Sequence, residues 1–255
     1  MSTHFPPDSR LVSDVAASPN HEERKGSRAP DMILLHYTGM RSALAALARL
    51  RDPNEPRVSS HYFIDEDGTI IQLVPEARRA WHAGLSLWAG EHDINSRSVG
   101  IEVVNPGHDF GYPDFPPHQI AAVIALCRDI VGRHKIPAER VLAHSDVAPG
   151  RKQDPGEKFP WRQLHEAGVG HWVEPAPIAE SPFLSVGDCG ETVSLLQMEL
   201  AKYGYGISVS GNFDAATRDV VAAFQRHFRP ARVDGVADSS TLTTLTDLLA
   251  ARPTA

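Results

Sequence analysis

Residues 140–156 read RVLAHSDVAPGRKQDPG. Val141, Leu142 and Ala143 make a short apolar run of buried-strand length, and the run delivers His144. A loop follows that is stiffened by Pro149, Gly150, Pro155 and Gly156 and carries Lys152 and Asp154. An imidazole, a cation and a carboxylate are thus gathered beyond the end of one strand. Two similar runs precede it. MILLH (32–36) ends on His36, and VGIEVVN (99–105) stops at Asn105-Pro106-Gly107. RSALAALARLRD (41–52) has helical spacing up to Asp52-Pro53. PPHQIAAVIALCRDIVGRH (116–134) opens on proline and aligns Ile120, Val123, Ile124, Cys127 and Val131 on one side, as an amphipathic helix does. HYFIDEDGTIIQLV (61–74) reads as a hairpin around Asp65-Glu66-Asp67-Gly68. Strands and helices are mixed, so this part of the chain is α/β.

The chain has 255 residues, 42% apolar and 22% charged, enough to build a core without disulfides. Cys127 falls in the apolar helix and Cys189 in a Gly-rich turn, so no pairing between them is expected. The formal charge of −7 argues against a nucleic-acid partner, which calls for a basic field. No apolar run is long enough for a transmembrane segment, and residues 1–30 lack the apolar core of a secretory signal. They read as a loosely ordered polar arm, which points to the cytoplasm.

Residues 31–171 hold the α/β pattern. WVEPAPIAESP (172–182) reads as a stiff Pro-rich linker. Residues 183–255 carry three helical patterns, through Val193, Leu196, Gln197 and Leu200, then Thr217, Val220, Val221 and Phe224, then Leu242, Leu245 and Leu248. Asp214 and Asp238 stand where helix caps belong. A small three-helix bundle is expected there.

His36, His144 and Asp154 are candidate metal ligands. Two imidazoles and a carboxylate leave a fourth tetrahedral position open on zinc, the design of a catalytic site. With 13 histidines in the chain, spacing alone does not decide this. Glu102 is a charge in an apolar strand, so it should face a site or a cation. Beside a metal it is a natural general base. It could equally pair with an arginine. Lys152 could stabilise an oxyanion or stand free in solvent. His82 could simply cap a turn. His108, His118, His134, His165 and His227 read as surface or helix-end residues.

ILLHYTG, SSHYFIDEDGTIIQLV, AWHAG, NSRSVGIEVVN and HSDVAPGRKQDPG, in this order and spacing, resemble the type-2 N-acetylmuramoyl-L-alanine amidases, the AmiD- and AmpD-like zinc enzymes. Phage amidases and animal peptidoglycan recognition proteins are more distant relatives. The likeness runs from about residue 30 to 166. It implies a mixed central sheet with flanking helices and one catalytic Zn²⁺. It also implies cleavage of the amide between the lactyl group of muramic acid and L-Ala of the stem peptide. By position, His36, His144 and Asp154 become the zinc ligands, Glu102 the catalytic glutamate and Lys152 the catalytic lysine. Trp81, His82 and Asn95 fall where the family lines its substrate groove, and His61 where phage relatives carry a zinc-proximal tyrosine. VSLLQMEL, GYGISVSGNFDAATRDVVAAFQ and VDGVADSSTLTTL resemble the helical peptidoglycan-binding domain of wall hydrolases, which implies a peptidoglycan or muropeptide partner and the cell envelope. A non-catalytic peptidoglycan sensor and a zinc peptidase on the stem peptide are the alternative readings. Arg78, Arg79, Arg97 and Arg151 are candidates for local steering of the substrate.

Overall fold

The computed structural model describes residues 5–27, 29–180 and 182–252; the ends of the expected arm and bundle, and one residue of the linker, lie outside these. The strands are β1 (Asp14–Val15), β2 (His21–Glu23), β3 (Met32–Tyr37), β4 (Tyr62–Ile64), β5 (Ile70–Gln72), β6 (Arg78–Ala80), β7 (Ser98–Val103) and β8 (Val141–Ala143). The helices are α1 (Ala43–Arg49), α2 (Ile94–Arg97), α3 (Pro117–His134), α4 (His144–Val147), α5 (Trp161–Glu166), α6 (Glu191–Tyr203), α7 (Ala215–Phe228) and α8 (Ser239–Ala250). A mixed sheet runs in the order β1-β5-β4-β7-β3-β8, with only the β4–β5 hairpin antiparallel. β3 is apolar up to its last two residues because it sits between β7 and β8 with both faces covered. The apolar side of α3 (Ile120, Val123, Leu126, Cys127, Ile130) is buried in the same core.

The neighbouring parallel strands β7, β3 and β8 end on one side of the sheet. His36 is the penultimate residue of β3, Glu102 the penultimate residue of β7, and His144 follows β8 directly. Ligands of open α/β sheets bind beyond the carboxyl ends of such strands. His144 was expected to enter a loop; it instead starts α4, a single turn in which the Asp146 carboxylate accepts from the Ala143 N–H at 2.8 Å.

The N-terminal segment is not the loose arm its polarity suggests. β2 pairs antiparallel with β6, β1 extends the main sheet, and Arg24 is buried. Arg24 donates to the carbonyls of Glu76, Asn95, Ser96 and Ser98, so a single guanidinium ties the segment down. Glu76 forms a second polar knot. Its buried carboxylate accepts from the Tyr62 hydroxyl at 2.6 Å, from Arg133 and from His134. Burial alone would raise its pKa, but these donors outweigh it and hold the carboxyl well below its usual value of 4.5. The stabilisation is therefore present above pH 4.5 and is lost as the pH falls toward the folded value. Glu76→Gln should lower unfolding stability by about 2 kcal/mol at pH 7. Equal urea midpoints for the two proteins would contradict this.

The C-terminal helices bury their apolar faces in a core continuous with that of the α/β part. Asp214 and Asp238 cap α7 and α8, accepting from Thr217 N and Thr241 N. His227 is a correction to the sequence reading. It is 2% exposed, stacks on Trp161 at 3.7 Å between centroids, and bonds Asp146 at 2.6 Å, where Tyr205 also donates at 2.7 Å. Backbone bonds from Ala89 N to Gly204 O and close packing of Gly204 on Trp88 continue the contact. The bundle thus clamps α4, the turn that begins with His144.

Candidate active site

At the strand ends the Nδ1 atoms of His36 and His144 lie 2.9 Å apart, and each is 3.0 Å from Oδ2 of Asp154. The Asp154 carbonyl in turn accepts from Ser145 N at 3.0 Å, which locks the Pro/Gly loop onto α4. All three side chains are at least nine-tenths buried. Burial and the neighbouring His144 hold His36 down at about 4, so its ring is neutral at pH 7. Burial opposes ionisation of Asp154 as well, but His144 and His36 prevail and keep its carboxyl far below the usual range. Two imidazole nitrogens and one carboxylate oxygen converging on one point suit a divalent metal ion.

Glu102 is the register partner of His36 on the adjacent parallel strand, so the two side chains share a face of the sheet. Its Oε2 is buried and has no hydrogen-bond partner. Burial, then the nearby Asp154 charge, push its carboxyl well above the usual value, against a smaller opposing effect of Lys152. A pocket of about 410 Å³ opens over these groups, and its walls include Glu102, Lys152, Trp81, His82, Tyr37 and His108.

The model of the N-acetylmuramoyl-L-alanine amidase family matches residues 26–157, and that of a peptidoglycan binding domain matches residues 189–245. The N-acetylmuramoyl-L-alanine amidase AmiD of Escherichia coli (strain K12) is 38% identical over 229 residues, 82% of this chain and 79% of that protein. This chain belongs to the N-acetylmuramoyl-L-alanine amidase family. The solved structure of E. coli AmiD superposes with a TM-score of 0.75 at 36% identity, covering 90% of this chain and 92% of that one. AMPDH3 from Pseudomonas aeruginosa gives 0.70 at 29% identity, covering 96% and 97%. The amidase is accordingly an enzyme of this class, hydrolysing the bond between the lactyl group and L-Ala.

The residues expected around the amidase groove divide. Trp81 and His82 line the pocket. His82 also reaches behind it, with Nδ1 at 3.0 Å from His36 Nε2. Asn95 and His61 do not line this pocket. The Asn95 Oδ1 accepts from the backbone N–H of His82 at 3.0 Å and of Ala83 at 2.9 Å. The fully buried His61 accepts from Gly100 N through Nδ1 and meets the Arg78 carbonyl through Nε2. The steering arginines are also engaged: Arg78 with Glu23, Arg79 with Glu22 and Asp93, and Arg97 with Asp31 and Glu91. Arg151 donates to the carbonyls of Ala83 and Leu85 at 2.6 Å.

Tyr37, which the sequence reading passed over, and His108, read there as a surface or helix-end residue, both stand in the pocket wall. The Tyr37 hydroxyl lies 2.9 Å from His108 Nδ1, while His108 Nε2 pairs with Glu157 at 3.1 Å. Gly107 (φ 73°) lets the Tyr37 ring lie against the backbone, since a Cβ there would come within 2.6 Å of it. The sequence signal available was Tyr37 itself, next to a candidate ligand in HYTG.

Proposed function

We propose that the amidase is zinc-dependent, with His36 Nδ1, His144 Nδ1 and Asp154 Oδ2 as the metal donors, and that it acts on muropeptides bearing an (anhydro)muramic acid. The observation that carries this reading is the convergence of those three atoms, 2.9–3.0 Å from one another, beside the unpartnered carboxyl of Glu102. A zinc ion there would supply Lewis-acid polarisation of the scissile carbonyl and a nucleophile at neutral pH. Glu102 accepts the proton of the attacking water and passes it to the alanine nitrogen as the C–N bond breaks. A carboxyl pushed up in pKa is matched to that task. Lys152, in the pocket wall, donates to the carbonyl oxygen as it becomes negative. Trp81 offers an indole surface to the substrate, with the Arg57 guanidinium 5.3 Å from its ring centroid.

The substrate class is supported by two relatives. AmiD was solved with the substrate anhydro-N-acetylmuramic acid-L-Ala-D-gamma-Glu-L-Lys, and AMPDH3 with an anhydromuramic pentapeptide. In this reading residues 31–171 carry catalysis, 172–182 connect, and 183–255 bind wall polymer. The binding module supports a place where intact peptidoglycan is met. No helix among the described residues is long and apolar enough to cross a membrane.

The test is mass spectrometry of muropeptides digested with and without a zinc chelator. The expected products are a peptide beginning at L-Ala and a peptide-free muramic sugar. Chelation should abolish them and added zinc restore them. L-Ala left on the sugar would instead identify a stem-peptidase, and chelator-resistant turnover would remove the metal from the reading.

A further inference from the structure

The two imidazoles that converge through Nδ1 are held from behind by consecutive residues of one short loop. His36 Nε2 meets Nδ1 of His82 at 3.0 Å, and His144 Nε2 meets the carbonyl of Ala83 at 3.0 Å. The Ala83 carbonyl only accepts and stands nearer to His144 Nε2 than the Arg151 guanidinium at 3.4 Å, so His144 carries its proton on Nε2 and turns an Nδ1 lone pair inward. For His36 the proton positions follow from a chain of contacts. The Ser98 hydroxyl donates to the Ile94 carbonyl at 2.7 Å. Its single proton is thereby used, so at the 3.4 Å contact with His82 Nε2 the ring is the donor. His82 Nδ1 is then an acceptor, His36 Nε2 the donor to it, and His36 Nδ1 a free lone pair. Gly100 leaves space for this arrangement, because a Cβ there would lie 2.6 Å from the His82 ring.

Both supports are tied to one atom, although Arg151 also donates to the Ala83 carbonyl at 2.6 Å. Asn95 Oδ1 accepts from His82 N and Ala83 N together and so sets the place of the loop that contacts both histidines. Asn95 is 7% exposed, and its own carbonyl and those of Ser96 and Ser98 accept from the buried Arg24 of the N-terminal segment. We propose that Asn95 is a positioning residue for the metal site: through His82 and Ala83 it holds His36 and His144 with their Nδ1 lone pairs turned toward Asp154. The inference rests on the metal reading given above, and it assigns to Asn95 a task other than contact with substrate. Groups that orient metal-ligating histidines typically contribute about 10- to 100-fold in metal affinity.

The experiment compares the whole protein with Asn95→Leu, which keeps size and loses the acceptor, and Asn95→Asp, which keeps the acceptor. Zinc affinity is measured by competition with a chromophoric chelator, alongside thermal unfolding of the metal-free proteins. Asn95→Leu should bind zinc about 10- to 100-fold more weakly, and Asn95→Asp within about threefold of the wild type. A residue that only supports the fold would lower the melting temperature and leave the affinity of the folded protein unchanged, which would overturn the proposal. A second measurement needs no variant. In the zinc-loaded wild type, ¹⁵N spectra of the imidazoles should show His82 as the Nε2–H tautomer, its Nδ1 accepting from His36 Nε2–H. An Nδ1–H form of His82 would overturn the proposal even if Asn95→Leu failed to fold. Absence of zinc binding by the wild type would instead strike the metal reading itself.

Discussion

Glu102→Gln is expected to lower kcat by about 10²- to 10⁴-fold while the protein keeps its full complement of zinc. Glutamine has the shape of glutamate and can fill the same place on β7, but it cannot take a proton from water. Glu102 is no donor to the His36–His144–Asp154 cluster, so its loss should spare metal binding. Its carboxyl also predicts a pH signature. Burial and the Asp154 charge raise its pKa, so the basic form is lost as the pH falls through a value above the ordinary 4.5. The acid limb of kcat/KM should therefore lie above pH 4.5 and should vanish in the residual activity of Glu102→Gln. Steady-state rates with metal analysis of the same samples check both points. A variant with wild-type turnover would remove Glu102 from the chemistry, and one that has lost its zinc would make it part of the metal site.

His36→Ala should abolish measurable turnover and weaken zinc binding by at least about 10²-fold. Tight zinc sites bind with roughly 10–16 kcal/mol, and one donor of three carries a substantial share of it. The substitution also leaves His144 Nδ1 and Asp154 facing each other at 3.0 Å without the third group. Metal content after dialysis against a weak chelator, with circular dichroism to verify folding, is the measurement. A folded His36→Ala protein holding one zinc at wild-type affinity would exclude His36 as a donor.

Much of the scaffold under these predictions can be read from local pattern. Continuous apolar runs mark β3 and β8, helical spacing marks α3, and an acidic Gly turn marks the β4–β5 hairpin. His36 and Glu102 were singled out because each is a polar residue at the end of, or inside, such a run. That they are register neighbours could not be read, since register is decided by pairing between segments 66 residues apart in the chain. Asn95 and His61 show the same limit. Their position near the groove motifs suggested substrate contact, but their side chains bond backbone N–H groups behind the site. His227 ends a helix among charged neighbours, and nothing local reveals that Trp161 and Asp146 cover it.

The bundle carries an internal repeat that is visible in its sequence. GNFDAAT (211–217) and GVADSST (235–241) repeat the pattern Gly-x-x-Asp-x-x-Thr. In each, the Gly takes φ 71° and the Asp caps the next helix. A buried glutamine, Gln197 or Gln225, binds each loop through backbone N–H groups. Nothing local told where the bundle would dock. Its contact with α4 depends on Tyr205 and His227 reaching Asp146 across 59 and 81 residues.

The sequence by itself determined the longer elements, the α/β class and the kinds of donor available, because periodicity and caps are properties of neighbours in the chain. Only the tertiary structure decided which nitrogen of each histidine faces the site, which residues stand behind it and which face the pocket. The physical reason is that a hydrogen bond is directional, and the acceptors that orient His36 and His144 come from His82 and Ala83, 46 and 61 residues away.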